Sequence, residues 1–291
     1  MKKVKFLSVL LTAVILLQSF TGIAFAVSDV IMNTEKVDIL DTIITASANK
    51  SKNTRSIATI TMDGNVKLET VSTVSPFNFE NDLSAYVPNR SEISFANTVV
   101  TDDNGLQHMT GTNVDARTGK IVAYYDINGD GGFDFTRSGT ASLQNHDILI
   151  SCMHTLWAAD YVTDDYDGWP MQIDFFAGVT STSLVATASV LQYSFDADYV
   201  SQIQNGVQYT DGDWAILQID KDLGSTCGWY GLHGTNEPEI GFEVYSLGYP
   251  GASGYSKWDQ WKGFGVLGNL IPNNCIYVNN MYACEGFSGK Q

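Results

Sequence analysis

From residue 98 onward, apolar runs of five or six residues alternate with turns, and few stretches keep a helical period. Ile121 to Tyr125, Asp147 to Ser151, Trp214 to Ile219 and Phe242 to Leu247 are rich in β-branched and aromatic residues and read as strands. Gly, Asn and Asp punctuate between them. Leu184 to Tyr193 has the length of a short helix, but Val185, Thr187 and Val190 favour a strand. Many short strands at close spacing predict an all-β sandwich or barrel. There is no internal repeat and no low-complexity tract.

The chain begins differently. Lys2, Lys3 and Lys5 precede an apolar run from Phe6 to Leu17, and Ala24-Phe25-Ala26 supplies a small-x-small cleavage pattern. The run is shorter than the roughly 20 residues that span a bilayer. Residues 1–26 therefore read as a signal peptide, which predicts a secreted protein with no membrane segment after cleavage. Residues 27–97 are rich in Ser, Thr, Asn and Val and contain no Trp, Cys or His. They read as a removable pro-region, with processing expected between Arg90 and Val99. The alternatives are a small extra domain or a disordered stalk.

Charge excludes some partners. The whole chain carries 16 basic and 32 acidic residues, and the part from residue 98 on holds 7 of the basic and 23 of the acidic ones. So negative a surface repels nucleic acid and anionic lipid. The four cysteines, Cys152, Cys227, Cys275 and Cys284, allow two disulfides in an oxidising compartment, in any of three pairings. No C-x-x-C occurs, which argues against a zinc site.

Three segments carry potential chemistry. In Leu149-Ile150-Ser151-Cys152-Met153-His154 an apolar strand runs into a histidine. In Asp211-Gly212-Asp213-Trp214-Ala215-Ile216-Leu217 an aspartate stands at the mouth of another. In Cys284-Glu285-Gly286-Phe287-Ser288-Gly289 a serine lies in a glycine turn. Singly, these read as a core histidine and two turn residues. Together they supply a hydroxyl nucleophile, a base to take its proton and a carboxylate to orient the base. Gly286, lacking Cβ, lets the backbone approach a substrate closely, so that N–H groups of Gly286 and Ser288 face a developing oxyanion. The order is His154, Asp213, Ser288, with gaps of 59 and 75 residues.

That order and those flanks resemble the trypsin-like serine proteases. Ile150 to His154 is similar to the family's L-T-A-x-H, Asp213 to Leu217 to D-x-A-x-L, and Gly286 to Gly289 to the start of G-x-S-G-x-P. Arg137 to Leu143, Gly228 to Leu232, Leu247 to Gly251 and Val99 to Asp103 resemble segments of the bacterial glutamyl endopeptidase branch. The resemblance covers about residues 98–289 and implies two antiparallel six-stranded β-barrels with the triad in the cleft between them. The N-terminal barrel is expected over 98–225 and an incomplete C-terminal one over 226–291, because the family continues for further strands where this chain stops at Gln291. It also implies a zymogen and a monomeric endopeptidase acting on proteins or peptides without a cofactor. Cleavage after Glu is implied too, although Ala283 stands where that branch has a Thr or Ser that helps bind the substrate carboxylate. Phe287, just before the serine, leaves no carboxylate there to pair with a new N-terminus. The rival readings are a catalytically inactive secreted β-barrel binding protein, a truncated pseudo-protease, or a surface adhesin using its acidic face.

The segment Asp126-Ile127-Asn128-Gly129-Asp130-Gly131 resembles half of a calcium loop, with Asp126, Asn128 and Asp130 as ligands. Arg137 occupies the place of the bidentate Glu. A hairpin turn between two barrel strands is therefore expected, and no metal.

Overall fold

The strand that organises the molecule is Thr118–Tyr125. All its side chains but that of Tyr124 are buried, and both its edges are paired over most of its length. The computed structural model describes residues 39–48, 54–72, 85–86, 100–103, 105–163, 165–207, 212–231, 240–271 and 275–279. In chain order these form α1 (Ile39–Ala48), β1 (Thr54–Thr61), β2 (Val66–Ser72), β3 (Val100–Thr101), β4 (Gln107–Met109), β5 (Thr118–Tyr125), β6 (Phe135–Leu143) and β7 (Ile148–Ser151). Then come α2 (Met153–Leu156), β8 (Gln172–Ala177), β9 (Ala186–Asp196), α3 (Ala197–Gln204), β10 (Ala215–Ile219), α4 (Gly224–Cys227), β11 (Glu243–Gly248), β12 (Gln260–Ile271) and β13 (Cys275–Asn279). No helix among the described residues is long and apolar enough to cross a membrane.

The fold is mostly β. Strands β5 to β10 make a closed antiparallel barrel in the order β10, β7, β6, β5, β8, β9, with β9 returning to pair with β10. Closure removes the open edges that a six-stranded sheet would otherwise expose. The fill is aromatic and aliphatic: Ile121, Tyr125, Leu143, Leu149, Phe175, Tyr193 and Phe195 are all essentially inaccessible. The runs expected at Ile121–Tyr125, Asp147–Ser151 and Trp214–Ile219 fall in β5, β7 and β10, and the Leu184–Tyr193 segment is mostly strand, in β9. Residues 126–134 form the hairpin between β5 and β6, which are in register at Tyr125↔Phe135. The turn is built by side chains accepting backbone N–H groups. Asp126 accepts from Gly129, Asp130 and Gly131, Asn128 from Asp130, Asp130 from Gly132, and Asp134 from Ile127 and Asn128.

A second sheet has five strands, ordered β11, β12, β4, β3, with β13 also on β12. The expected strand Phe242–Leu247 is β11. Strands β3 and β4, which lie within the residues expected to build the N-terminal barrel, belong to this sheet. Gln260 ties the two units together from a fully buried position. Its amide accepts from the Asp115 N–H at 2.9 Å and donates to the carbonyls of Asp115 at 2.9 Å and Thr118 at 3.2 Å.

The described part of residues 27–97 joins the barrel. β1 pairs with β9 from Ile57↔Asp196 to Thr61↔Gln192, and β2 completes a hairpin on β1. Helix α1 packs on α3, burying Leu40 and Ile43, and the Ser47 hydroxyl donates to Asp198 at 2.6 Å. Arg55 pairs with Asp196 at 2.8 Å, and the same aspartate caps α3 by accepting the Asp198 N–H.

Two cysteines correct an expectation. Cys152 and Cys227 are not joined in a disulfide. Cys227 is held in α4 within the core cluster, and Cys152 stands at the start of α2. Neither takes part in the disulfide framework that four cysteines suggested. Cys284 lies outside the described residues.

Barrel packing leaves no room at Gly119 on β5. A Cβ there would sit 2.4 Å from the Phe175 ring and 2.5 Å from the Phe176 carbonyl oxygen. Gly119→Ala is expected to destabilise the protein by about 1–3 kcal/mol, the usual cost of overpacking a filled core. Urea denaturation of the two proteins measures it.

Candidate active site

His154 and Asp213 are brought together by strand pairing. β7 and β10 are antiparallel with Ser151 opposite Ala215. Residues that follow Ser151 therefore meet residues that precede Ala215. Past Ser151 the chain turns into the four-residue helix α2, which carries His154 as its second residue. Asp213 lies two residues before β10. Both of its oxygens are engaged: Oδ1 accepts the His154 backbone N–H at 2.9 Å, and Oδ2 lies 2.6 Å from His154 Nδ1. A carboxylate in that place makes Nδ1 the protonated nitrogen. Nε2 is buried and has no hydrogen-bond partner among the described residues.

Electrostatics favour the ionised carboxylate. Burial pushes the Asp213 carboxyl up, but hydrogen bonds from the His154 ring and backbone and the charge of His154 outweigh it, so the group titrates below its ordinary 3.8.

So short a helix leaves most of its carbonyls without internal partners, and two side chains supply them. The Tyr125 hydroxyl donates to the carbonyls of Thr155 at 3.2 Å and Leu156 at 2.9 Å. The Arg137 guanidinium donates to the carbonyls of His154 at 3.2 Å and Trp157 at 3.3 Å, and reaches Asp160 at 3.2 Å. Gly139 on β6 permits the close approach, because a Cβ there would lie 2.7 Å from the Thr155 hydroxyl. The sequence marked Tyr125 as a strand residue and Arg137 only as part of a segment. Nothing local in either announces a brace beneath a histidine.

Of the residues singled out in the sequence, His154 and Asp213 are in contact. Ser288, Gly286 and Ala283 lie outside the described residues, as do residues 1–26 and the proposed processing stretch up to Val99. Asp126, Asn128 and Asp130 sit in the β5–β6 turn. Cys152, two residues before His154, is a neighbour of the pair. Its thiol, a His154 ring nitrogen and an Asp213 carboxylate oxygen all lie within 4.8 Å of one another.

No family model and no curated protein matches the chain. Among solved structures, a Glu endopeptidase is similar at 16% identity and a TM-score of 0.43, over 63% of this chain and 80% of that one. The thermostable serine protease AL20 from an extremophilic microorganism is similar at 12% identity and a TM-score of 0.42, over 60% of this chain and 76% of that one. The protease Anisep from Arthrobacter nicotinovorans is similar at 16% identity and a TM-score of 0.41, over 60% and 81% respectively.

The bracing of α2 is testable. Tyr125→Phe leaves the buried Thr155 and Leu156 carbonyls without their donor and is expected to cost about 1–3 kcal/mol in chemical denaturation. Asp213 gives a pH signature. Its folded pKa lies below the unfolded 3.8, so its contribution is complete above that value and is lost as pH falls through the folded one. Thermal melts in acid should therefore fall more steeply with decreasing pH for the wild type than for Asp213→Asn. Parallel profiles would show that the carboxylate contributes nothing in its ionised form.

Proposed function

We propose that the chain is a secreted, trypsin-like serine endopeptidase, made with a signal peptide over residues 1–26 and a pro-region over 27–97. The observation that carries the reading is the His154–Asp213 pair, set by β7 and β10, with Nδ1 bonded to the carboxylate and Nε2 left as an acceptor. In the proposed reaction the Ser288 hydroxyl attacks the peptide carbonyl while Nε2 takes its proton. Asp213 keeps Nδ1 protonated and stabilises the imidazolium that forms. The N–H groups of Gly286 and Ser288 hold the oxyanion. The imidazolium then protonates the leaving amine, and water attacks the acyl-enzyme with His154 again as base. Every step is a proton or acyl transfer among these groups, with no cofactor.

The substrates in this reading are proteins or peptides, cleaved by a monomer after Glu. The Glu preference rests on the sequence resemblance alone, and Ala283 departs from it.

The test is fluorophosphonate labelling of the processed protein, followed by digestion of a peptide library. Labelling is expected at Ser288 and to vanish in Ser288→Ala. Asp213→Asn should lower kcat on the order of 10⁴-fold, since the amide favours the wrong His154 tautomer. Absence of labelling in a folded, processed protein removes the serine-protease reading. Cleavage after Lys, Arg or aromatic residues removes only the glutamyl preference.

A further inference from the structure

The proposed proton relay has no use for Cys152, yet the fold places its thiol beside the relay. Cys152 is half-buried and in no disulfide, at the junction of β7 and α2. Its sulfur, a ring nitrogen of His154 and an oxygen of Asp213 lie within 4.8 Å of one another. Of the two ring nitrogens, Nδ1 is the one bonded to Asp213, 2.6 Å from Oδ2. These are one thiolate, one imidazole and one carboxylate, a donor set that suits zinc and its neighbours and discriminates against calcium and magnesium.

The geometry points to a three-ligand site for zinc or a similar borderline-soft divalent cation, formed by Cys152, His154 Nδ1 and Asp213, whose occupation disables His154 as a base. Tetrahedral zinc places sulfur at about 2.3 Å and imidazole nitrogen or carboxylate oxygen at about 2.0–2.2 Å, so its ligand atoms stand about 3.4–3.6 Å apart. The Nδ1–Oδ2 contact of 2.6 Å must open by about 1 Å, and the sulfur, within 4.8 Å of the other two ligand atoms, must come to about 3.4–3.6 Å from each, by side-chain rotation. The fourth position is left for water.

The proton balance defines the effect. The Cys152 thiol loses its proton to solvent as the sulfur binds. A neutral imidazole carries one N–H, and a metal on Nδ1 leaves that proton on Nε2. Nε2 then becomes a donor and cannot accept a proton from a hydroxyl. The metal also takes the carboxylate that would stabilise an imidazolium. The negative charge of the Asp213 carboxylate beside the thiol attracts a cation. No oxidation or reduction is involved.

The inhibitory part rests on the proposed protease activity, whereas binding does not. The experiment therefore has two arms. In the first, the full chain, reduced and freed of metal by a chelator, is titrated with Co²⁺ as a visible stand-in for Zn²⁺. One equivalent should give tetrahedral d–d bands and a thiolate-to-cobalt charge-transfer band, both abolished by added Zn²⁺. Cys152→Ala should lose the charge-transfer band. Cys152→Ala and Asp213→Asn should each weaken binding by more than the roughly 10–100-fold that loss of an outer-shell partner costs. Circular dichroism and melting establish that each variant is folded. In the second arm, Zn²⁺ inhibition of peptide hydrolysis is read for each protein against its own metal-free rate. The wild type should be inhibited, and Cys152→Ala at least tenfold less sensitive. A charge-transfer band absent from the folded wild type, or retained in Cys152→Ala, overturns the inference. Zinc-insensitive hydrolysis with no cobalt band also overturns it and leaves the protease reading standing. A cobalt band that depends on Cys152 in a chain that hydrolyses nothing supports the metal site and removes the protease reading instead.

Discussion

The site depends on β10 pairing on both edges. One edge meets β7, with Ala215 opposite Ser151, and the other meets β9, with Ala215 opposite Phe195. The second pairing closes the barrel, and the first sets the register of Asp213 against α2. A shift of one residue in β10 would turn its buried side chains to the opposite face. Ala215, Leu217 and Ile219 are all inaccessible, so any such shift would take these apolar side chains out of the barrel interior and turn Gln218 into it. The distance between His154 and Asp213 is thus held by hydrophobic burial in the strands rather than by the hydrogen bond between them.

A four-residue helix has little stability of its own, because nucleating a turn fixes several dihedrals for one hydrogen bond. Helix α2 is stable here because its surroundings replace what its length withholds. Met153 and Leu156 are fully buried, and Trp157, which follows the helix, is nearly so. Tyr125 and Arg137 satisfy its carbonyls. Burial of Met153 and Leu156 leaves the His154 side chain on a different face of the helix, toward Asp213. The imidazole therefore projects from a rigid support into a place where one of its nitrogens is already committed.

Much of the barrel was legible in the sequence, because runs such as Ile121–Tyr125 are apolar and β-branched in a way only a buried strand satisfies. The limits of legibility have physical causes. β5 begins at Thr118 rather than Ile121. Gly119 and Lys120 look like turn residues, yet Gly119 is required by the Phe175 ring. Lys120 is buried with its ammonium donating to the Lys257 carbonyl at 2.5 Å and lying over the Trp258 ring. β9 runs on to Asp196, past the expected Tyr193, because β1 and β10 flank its last residues. The pair His154 and Asp213 was readable as motifs with recognisable flanks. The nearness of Cys152 to Asp213 was not, since it arises from the register of two strands about 60 residues apart.

The N-terminal segment follows the same logic of edges. β8 pairs with β9 only as far as Ser189, and beyond that point the same edge of β9 is taken by β1 from Gln192 to Asp196. Residues Ile43, Ala58 and Ile60 share one apolar cluster with the barrel interior. Taking the segment away would leave unpaired backbone groups on β9, apolar surface over α3, and Asp196 and Asp198 without the Arg55 and Ser47 side chains that face them. Tyr199, on the same helix as Asp198, packs edge-on against Trp157 at 6.3 Å, immediately after α2. One series of packed elements thus runs from α1 through α3 to the support of His154. The described contacts that join the segment to the barrel, the β1–β9 pairing and the shared core, involve no residue between Arg90 and Val99.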